Sequence, residues 1–182
     1  MGDVFLRRLS RWQSDQYREQ LADVHAAAYG GAPGEAPRTR SRFQERLSED
    51  SARPGFDLVI AENRGPVGCA YGYPLSRDSD RWHGFDGPVP ADLAELTAAG
   101  RVFLVAELMV LPRHRRQGIG RRLHDRLLSG SGAGLAAILL SPADAHGDGA
   151  HAARLSWGWT AAGKLSPGGG PVLEVFVRAL RR

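Results

Sequence analysis

One stretch limits what this chain can fold into more than any other: RVFLVAELMVLPRHRRQGIGRRLHDRLLSG, residues 101–130. Its opening run, VFLVAELMV, is apolar and partly β-branched, has the length of a buried strand, and stops at Pro112. Its close, GIGRRLHDRLLSG, puts Ile119, Leu123, Leu127 and Leu128 on one face of a helix. A buried strand therefore passes into an amphipathic helix through a short, basic, glycine-bearing loop. Such a unit belongs in a sheet covered by helices, which makes the fold class α/β.

The rest of the chain supplies the other elements of a mixed sheet. VFLRRLS reads as an opening strand. SDQYREQLADVHAAAYG carries Tyr17, Leu21, Val24 and Ala28 at helical steps, with Ser14 or Asp15 as its cap and Gly30-Gly31 as its stop. GAPGEAPRTR reads as a loop and SRFQERLSED as a second helix, closed by Arg53-Pro54-Gly55. FDLVIAE and PVGCAYGYP flank Asn63-Arg64-Gly65 as an antiparallel hairpin. Residues 76–100 read as an insertion that includes a short helix, ADLAELTAAG. Later, GLAAILLS is a buried strand, HAARLSWGW a helix and turn, and PVLEVFVRAL a closing strand. Without repeats or a linker, residues 1–182 are expected to form a single domain.

Composition narrows the function. The chain of 182 residues is long enough for a substantial core, and its net charge is +4. No run approaches the ~18 consecutive apolar residues of a membrane span. MGDVFLRRLSRWQSDQ lacks the apolar centre of a secretory signal, and the residues after Gly2 lack the serine or threonine of a myristoylation signal. Cys69 is the only cysteine, which excludes an intrachain disulfide and a multi-cysteine zinc site and fits a reducing compartment. A cytoplasmic protein without a membrane partner is the expectation. Lys164 is the only lysine, so the positive charge is almost all arginine, whose planar fork pairs with phosphate.

That arginine is concentrated where a helix begins. The first N–H groups of a helix have no internal partner and its dipole is positive there, so Arg115-Arg116-Gln117-Gly118-Ile119-Gly120 suits an anion. The nucleoside triphosphate loop is excluded because it needs a lysine after its second glycine, and the dinucleotide fingerprint because it needs a third glycine. What remains is a phosphate cradle set between a long strand and an amphipathic helix.

On these residues the chain resembles the GCN5-related N-acetyltransferase (GNAT) family, whose signature [RQ]-x-x-G-x-[GA] is met from Arg115 to Gly120. The lead-in ELMVLPRHR, the order of elements over almost the whole chain, and Trp157-Gly158-Trp159 are similar to that family as well. The resemblance implies a mixed central sheet with a splayed central strand, flanked by helices. It implies acetyl-CoA as acyl donor and no metal. Backbone N–H groups of Arg115, Arg116, Gln117, Gly118, Ile119, Gly120 and Arg121 would hold the pyrophosphate. Leu108, Met109 and Val110 would offer backbone bonds to pantetheine and the thioester carbonyl.

Glu107 is the candidate catalytic residue. It interrupts an otherwise apolar strand, and a carboxylate beside the thioester would accept a proton from the amine; the alternatives are a substrate anchor and a carboxylate paired with arginine. The resemblance departs at one position. Many relatives carry a tyrosine four residues before the late glycine, as acid toward the departing thiolate, and here Arg154 stands there. Tyr29, Tyr71, Tyr73 or Ser156 with water are the substitutes, and the acid stays unassigned. His25, on the first helix, is a candidate for lining the acceptor site or a surface residue; His114 and His124 are expected to be exposed or phosphate-adjacent rather than catalytic. Trp82, His83, Phe85 and Asp86 would form a wall over the acceptor or a satellite core. Asp144 and His146 with Asp148 would be metal ligands or part of a solvated loop.

The leading reading is an N-acetyltransferase acting on a small-molecule amine. A catalytically silent CoA-binding or regulatory domain is the alternative, and nucleic-acid binding through RHRRQGIGRRLHDR a minor one, since no aromatic residues interleave with that patch. Glu107 with Glu35, Glu45 and Asp86 would suit a cationic acceptor; Arg77 or Arg81 would meet a carboxylate-bearing one. Exposed edge strands would allow a homodimer.

Overall fold

The computed structural model describes residues 3–30, 36–146 and 149–180. Gly2, Gly31, Glu35 and Asp148, each invoked above, lie outside the described residues. In chain order the elements are β1 (Phe5–Leu9), α1 (Arg11–Tyr29), α2 (Ala36–Ser51), β2 (Asp57–Glu62), β3 (Pro66–Pro74), α3 (Ala91–Ala98), β4 (Val102–Val110), α4 (Ile119–Leu128), β5 (Leu135–Leu140), α5 (Pro142–His146), α6 (Ala150–Ser156), β6 (Thr160–Leu165) and β7 (Leu173–Ala179). The strands form a mixed sheet in the order β1-β2-β3-β4-β5-β7-β6. Among the described residues no helix is long and apolar enough to cross a membrane.

The chain divides into two compact units. The first comprises Met1–Tyr73 and Ala106–Ser131. In it β1 pairs with β2 and β2 with β3, both antiparallel, and Ile60 faces Cys69 in the hairpin register. Leu111 N donates to Val67 O at 2.8 Å, fastening the end of β4 to β3. Ile119, Leu123 and Leu127 of α4 are buried, as the helical period requires. Cys69 is fully buried, and burial pushes its thiol well above its ordinary range.

Two helix starts differ from the sequence expectation. The cap of α1 is Ser10, not Ser14 or Asp15. Ser10 Oγ accepts from Gln13 N and Gln13 Oε1 accepts from Ser10 N, a reciprocal capping box that starts the helix one turn earlier. Ser14 is buried inside the helix, its hydroxyl donating to Arg11 O. Helix α2 begins at Ala36 inside the expected loop, with Pro37 in its first turn, where a missing N–H breaks no helix bond.

The second unit comprises Pro74–Val105 and Gly132–Arg182. Here β4 and β5 run parallel with Val102, Phe103 and Leu104 opposite Leu135, Ala136 and Ala137, and β7 pairs antiparallel with both β5 and β6. Strand β6, TAAGKL, was not expected, because small residues and a glycine carry little strand signal. Gly163 explains its composition: a Cβ there would lie 2.5 Å from the Phe85 ring, so the glycine admits that ring against the strand. Phe85 bridges to Leu165, and Trp82 donates from Nε1 to Thr97 Oγ1 of α3 at 2.9 Å. Trp82 and Phe85 thus belong to a satellite core of this unit, while His83 and Asp86 are exposed. The segment expected to be a loop after β5 forms the short helix α5, with Ser141 Oγ donating to Asp144 Oδ2 at 2.6 Å.

Candidate active site

In the first unit, β4 delivers Glu107 and then leads into the helix mouth. Glu107 is 8 % exposed, so its carboxylate needs partners, and the two helices covering the strand provide them. Oε1 accepts from Tyr29 Oη at 3.0 Å and from Leu108 N at 3.1 Å. Oε2 accepts from Arg46 Nη2 at 3.0 Å, with His25 Nε2 at 3.7 Å, beyond hydrogen-bond reach. Tyr29 Oη also lies 3.4 Å from Leu108 O, but its single proton goes to the nearer carboxylate.

Helical spacing builds this cluster. His25 and Tyr29 are one turn apart on α1, and Phe43 and Arg46 share a face of α2. The His25 ring stacks on Phe43 with centroids 4.6 Å apart and is 4.7 Å from the Tyr29 ring. Arg46 lies over Phe43. His25 is buried rather than a surface residue, and burial, then the Arg46 cation, pushes its imidazole down to about 4. It is therefore neutral near pH 7, and its approach to Glu107 is not an ion pair. Burial works against the Arg46 cation, but Tyr71, Glu107 and Asp50 outweigh it and raise its pKa. Burial and then the Glu107 charge raise the Tyr71 phenol, against the nearby Arg46 guanidinium, which lowers it; His25 Nδ1 meets no hydrogen-bond partner among the described residues.

The helix mouth is built from backbone. Arg116 and Gly118 take left-handed φ values of 62° and 75°, and Gly118 caps α4 without a side chain. A Cβ at Gly118 would meet nothing within 4 Å, so glycine serves the backbone conformation and leaves the approach open. The first bond of the α4 ladder runs from Arg122 N to Gly118 O, so the N–H groups of Ile119, Gly120 and Arg121 precede it. Ile119 anchors this end by burying its side chain, while Arg116, Gln117 and Arg121 are exposed.

Arg115 is tied down by its own hydrogen bonds. Its N–H donates to Pro112 O, and its guanidinium donates to Val110 O at 3.1 Å and Ala28 O at 3.0 Å. It ties β4 to the end of α1, beside Tyr29. Gln117 Nε2 reaches Arg113 O, and Arg121 pairs with Asp125 one turn on. Along β4, Met109 is buried while Leu108 and Val110 are partly exposed. His124 is buried at 2 % exposure rather than exposed, its Nδ1 2.8 Å from Asp125 Oδ1, and His114 is half-buried.

In the second unit Arg154 is a structural residue. Its Nη2 donates to the carbonyls of Asp144 and Ala145, closing the end of α5, and its guanidinium lies over Phe176. With Asp144 bonded to Ser141, no group of metal-ligating side chains forms among the described residues. Arg46 and Phe43 went unnoticed in the sequence. The signal that could have found them is a phenylalanine and an arginine sharing one face of a polar helix.

The site thus sets a buried carboxylate beside strand backbone, on a strand that leads into a helix capped by a left-handed glycine, in an α/β fold. The chain belongs to the acetyltransferase (GNAT) family, whose sequence profile matches residues 7–152. No curated protein sequence matches it. Among solved structures it is similar to a GNAT-family acetyltransferase from Bacillus cereus (13 % identity, all of both chains, TM-score 0.63). It is also similar to the PaiA N-acetyltransferase of Thermoplasma acidophilum in complex with coenzyme A (10 % identity, 98 % of this chain and 99 % of that one, TM-score 0.64). A third is aminoglycoside 6'-acetyltransferase type Ii (15 % identity, 98 % and 99 %, TM-score 0.64). At these identities the likeness is one of fold.

Proposed function

We propose that this protein is an N-acetyltransferase that carries an acetyl group from acetyl-CoA to a small-molecule amine, residues 1–182 working as one catalytic domain. The observation that carries the reading is the left-handed Gly118 cap of the helix that follows the strand bearing Glu107. N–H groups from Arg116 to Arg121 take the pyrophosphate, with Arg113 and Arg116 near the remaining charge. The coenzyme A complex of one structural neighbour and the aminoglycoside acetyltransferase among the others support the donor and the acceptor class.

The chemistry follows from the partners of Glu107. In the free protein Leu108 N–H points to Oε1. When the thioester carbonyl takes over that N–H, the carbonyl is polarised and Oε1 regains a lone pair with which to accept the amine proton. Arg46 keeps Oε2 in place throughout. Glu107 is thus base, and Leu108 N–H supports the developing oxyanion. Of the acceptor-facing candidates, Glu45 lies exposed on α2 and Arg77 and Arg81 belong to the second unit.

Calorimetric titration with acetyl-CoA, paired with thiol release over a panel of amines, tests the reading. Binding with amine-dependent release is expected. A silent CoA-binding domain, which the structural use of Arg154 favours, predicts binding without release from any amine. Absence of binding refutes both.

A further inference from the structure

We propose that Tyr29 is the general acid of this site, and that Glu107 and Tyr29 exchange a proton so that each turnover leaves both as it found them. The inference rests on the acetyltransferase reading above. Acetyl transfer to a neutral amine forms a C–N bond and breaks a C–S bond; one proton must leave the nitrogen and one must reach the sulfur. The position where relatives carry a tyrosine holds Arg154, which is committed to the carbonyls of α5. The donor must come from elsewhere.

The protein has four tyrosines, at 17, 29, 71 and 73. Tyr17 is bonded to Arg7 and Glu62 at the β1–β2 end of the first unit. Tyr71 is fully buried, with its phenol held protonated by burial and by the Glu107 charge. Tyr73 is 4 % exposed and lies beneath the Arg53 guanidinium. Tyr29 alone is open to a substrate, at 44 % exposure, and its hydroxyl sits against both Glu107 and the Leu108 carbonyl of β4.

The two oxygens of Glu107 differ. Oε2 is held by a cation, Arg46, whereas Oε1 carries the phenol and one N–H. Oε1 is therefore the oxygen that can gain and lose a proton. The amine nitrogen attacks the thioester carbon, and Oε1 removes the proton of the resulting ammonium. As the intermediate collapses, the C–S bond breaks and Tyr29 Oη–H protonates the departing sulfur. The proton on Oε1 then crosses the 3.0 Å bond to the phenolate, and the amide and free thiol leave. His25, neutral and packed between Phe43 and Tyr29, positions the ring without adding charge. Arg46 from α2 and Tyr71 and Cys69 from β3 also act on Glu107, and Asp50 acts on Arg46 and Tyr71.

The test compares wild type, Tyr29→Phe and Tyr73→Phe in thiol release with acetyl-CoA and an accepted amine, alongside acetyl-CoA calorimetry and a kcat–pH profile. For Tyr29→Phe, kcat falls about 100-fold or more, acetyl-CoA affinity stays within about twofold, and the alkaline limb of the profile is lost. Tyr73→Phe keeps wild-type kcat. Wild-type kcat in Tyr29→Phe, a fall in kcat with the alkaline limb intact, or a loss of acetyl-CoA binding in its place overturns the assignment of Tyr29. Wild type that releases no thiol with any amine overturns the acetyltransferase reading itself, and the inference with it.

Discussion

Gly68 on β3 offers the sharpest test of how the site is held. A Cβ at this position would lie 2.6 Å from Met109 O and 3.3 Å from both Val110 Cα and Leu123 Cδ1. A carbon–oxygen contact settles near about 3.3 Å, so Gly68→Ala requires a displacement of roughly 0.7 Å. The obstacle is backbone of β4, and α4 closes the other side, so no flexible side chain can absorb the shift. Overpacking of this kind costs about 1–3 kcal/mol, and a clash with main chain belongs at the upper end. The alanine also restricts the unfolded chain, which offsets about 0.4–1 kcal/mol. The net expectation is a loss of about 2–2.6 kcal/mol, or about 4–10 °C in Tm, read by urea and thermal unfolding. Because the moving carbonyl lies two residues from Glu107, acetyl transfer should weaken along with stability. Unchanged or increased stability in Gly68→Ala would refute the packing argument.

Three further outcomes are expected. Gly118→Asp keeps the left-handed cap, which aspartate tolerates, but sets a carboxylate at the helix mouth; acetyl-CoA affinity should fall at least about tenfold by calorimetry, and an unchanged value would remove the cradle from this loop. Glu107→Gln keeps an acceptor for Tyr29 and Arg46 but no longer takes a proton, so kcat should drop about 100-fold or more with acetyl-CoA affinity retained; retained kcat would make Glu107 an anchor. The His25 imidazole, pushed down to about 4, should titrate near that value by NMR. Its folded pKa lies below the unfolded one of about 6.5, so the stability it contributes is complete above that pH and is lost as pH falls toward about 4. His25→Gln should shrink the difference in urea stability across this window, and an imidazole titrating near its ordinary value would contradict the burial described.

Local pattern determined much of this protein. The strand, basic loop and helix of residues 101–130, the hairpin of β2 and β3, and the buried face of α4 were legible because each is set by neighbours a few residues apart. Tertiary structure decided what surrounds Glu107. Arg46 and Tyr29 reach it from 61 and 78 residues away, and Arg115 crosses 87 residues to the carbonyl of Ala28. It also decided that His25 and His124 are buried, and that TAAGKL is a strand, paired with β7 and leaving room at Gly163 for the Phe85 ring. Periodicity states which face of an element is turned inward. It carries no record of which distant side chain that face will meet, and the partners of a buried carboxylate are set by that meeting.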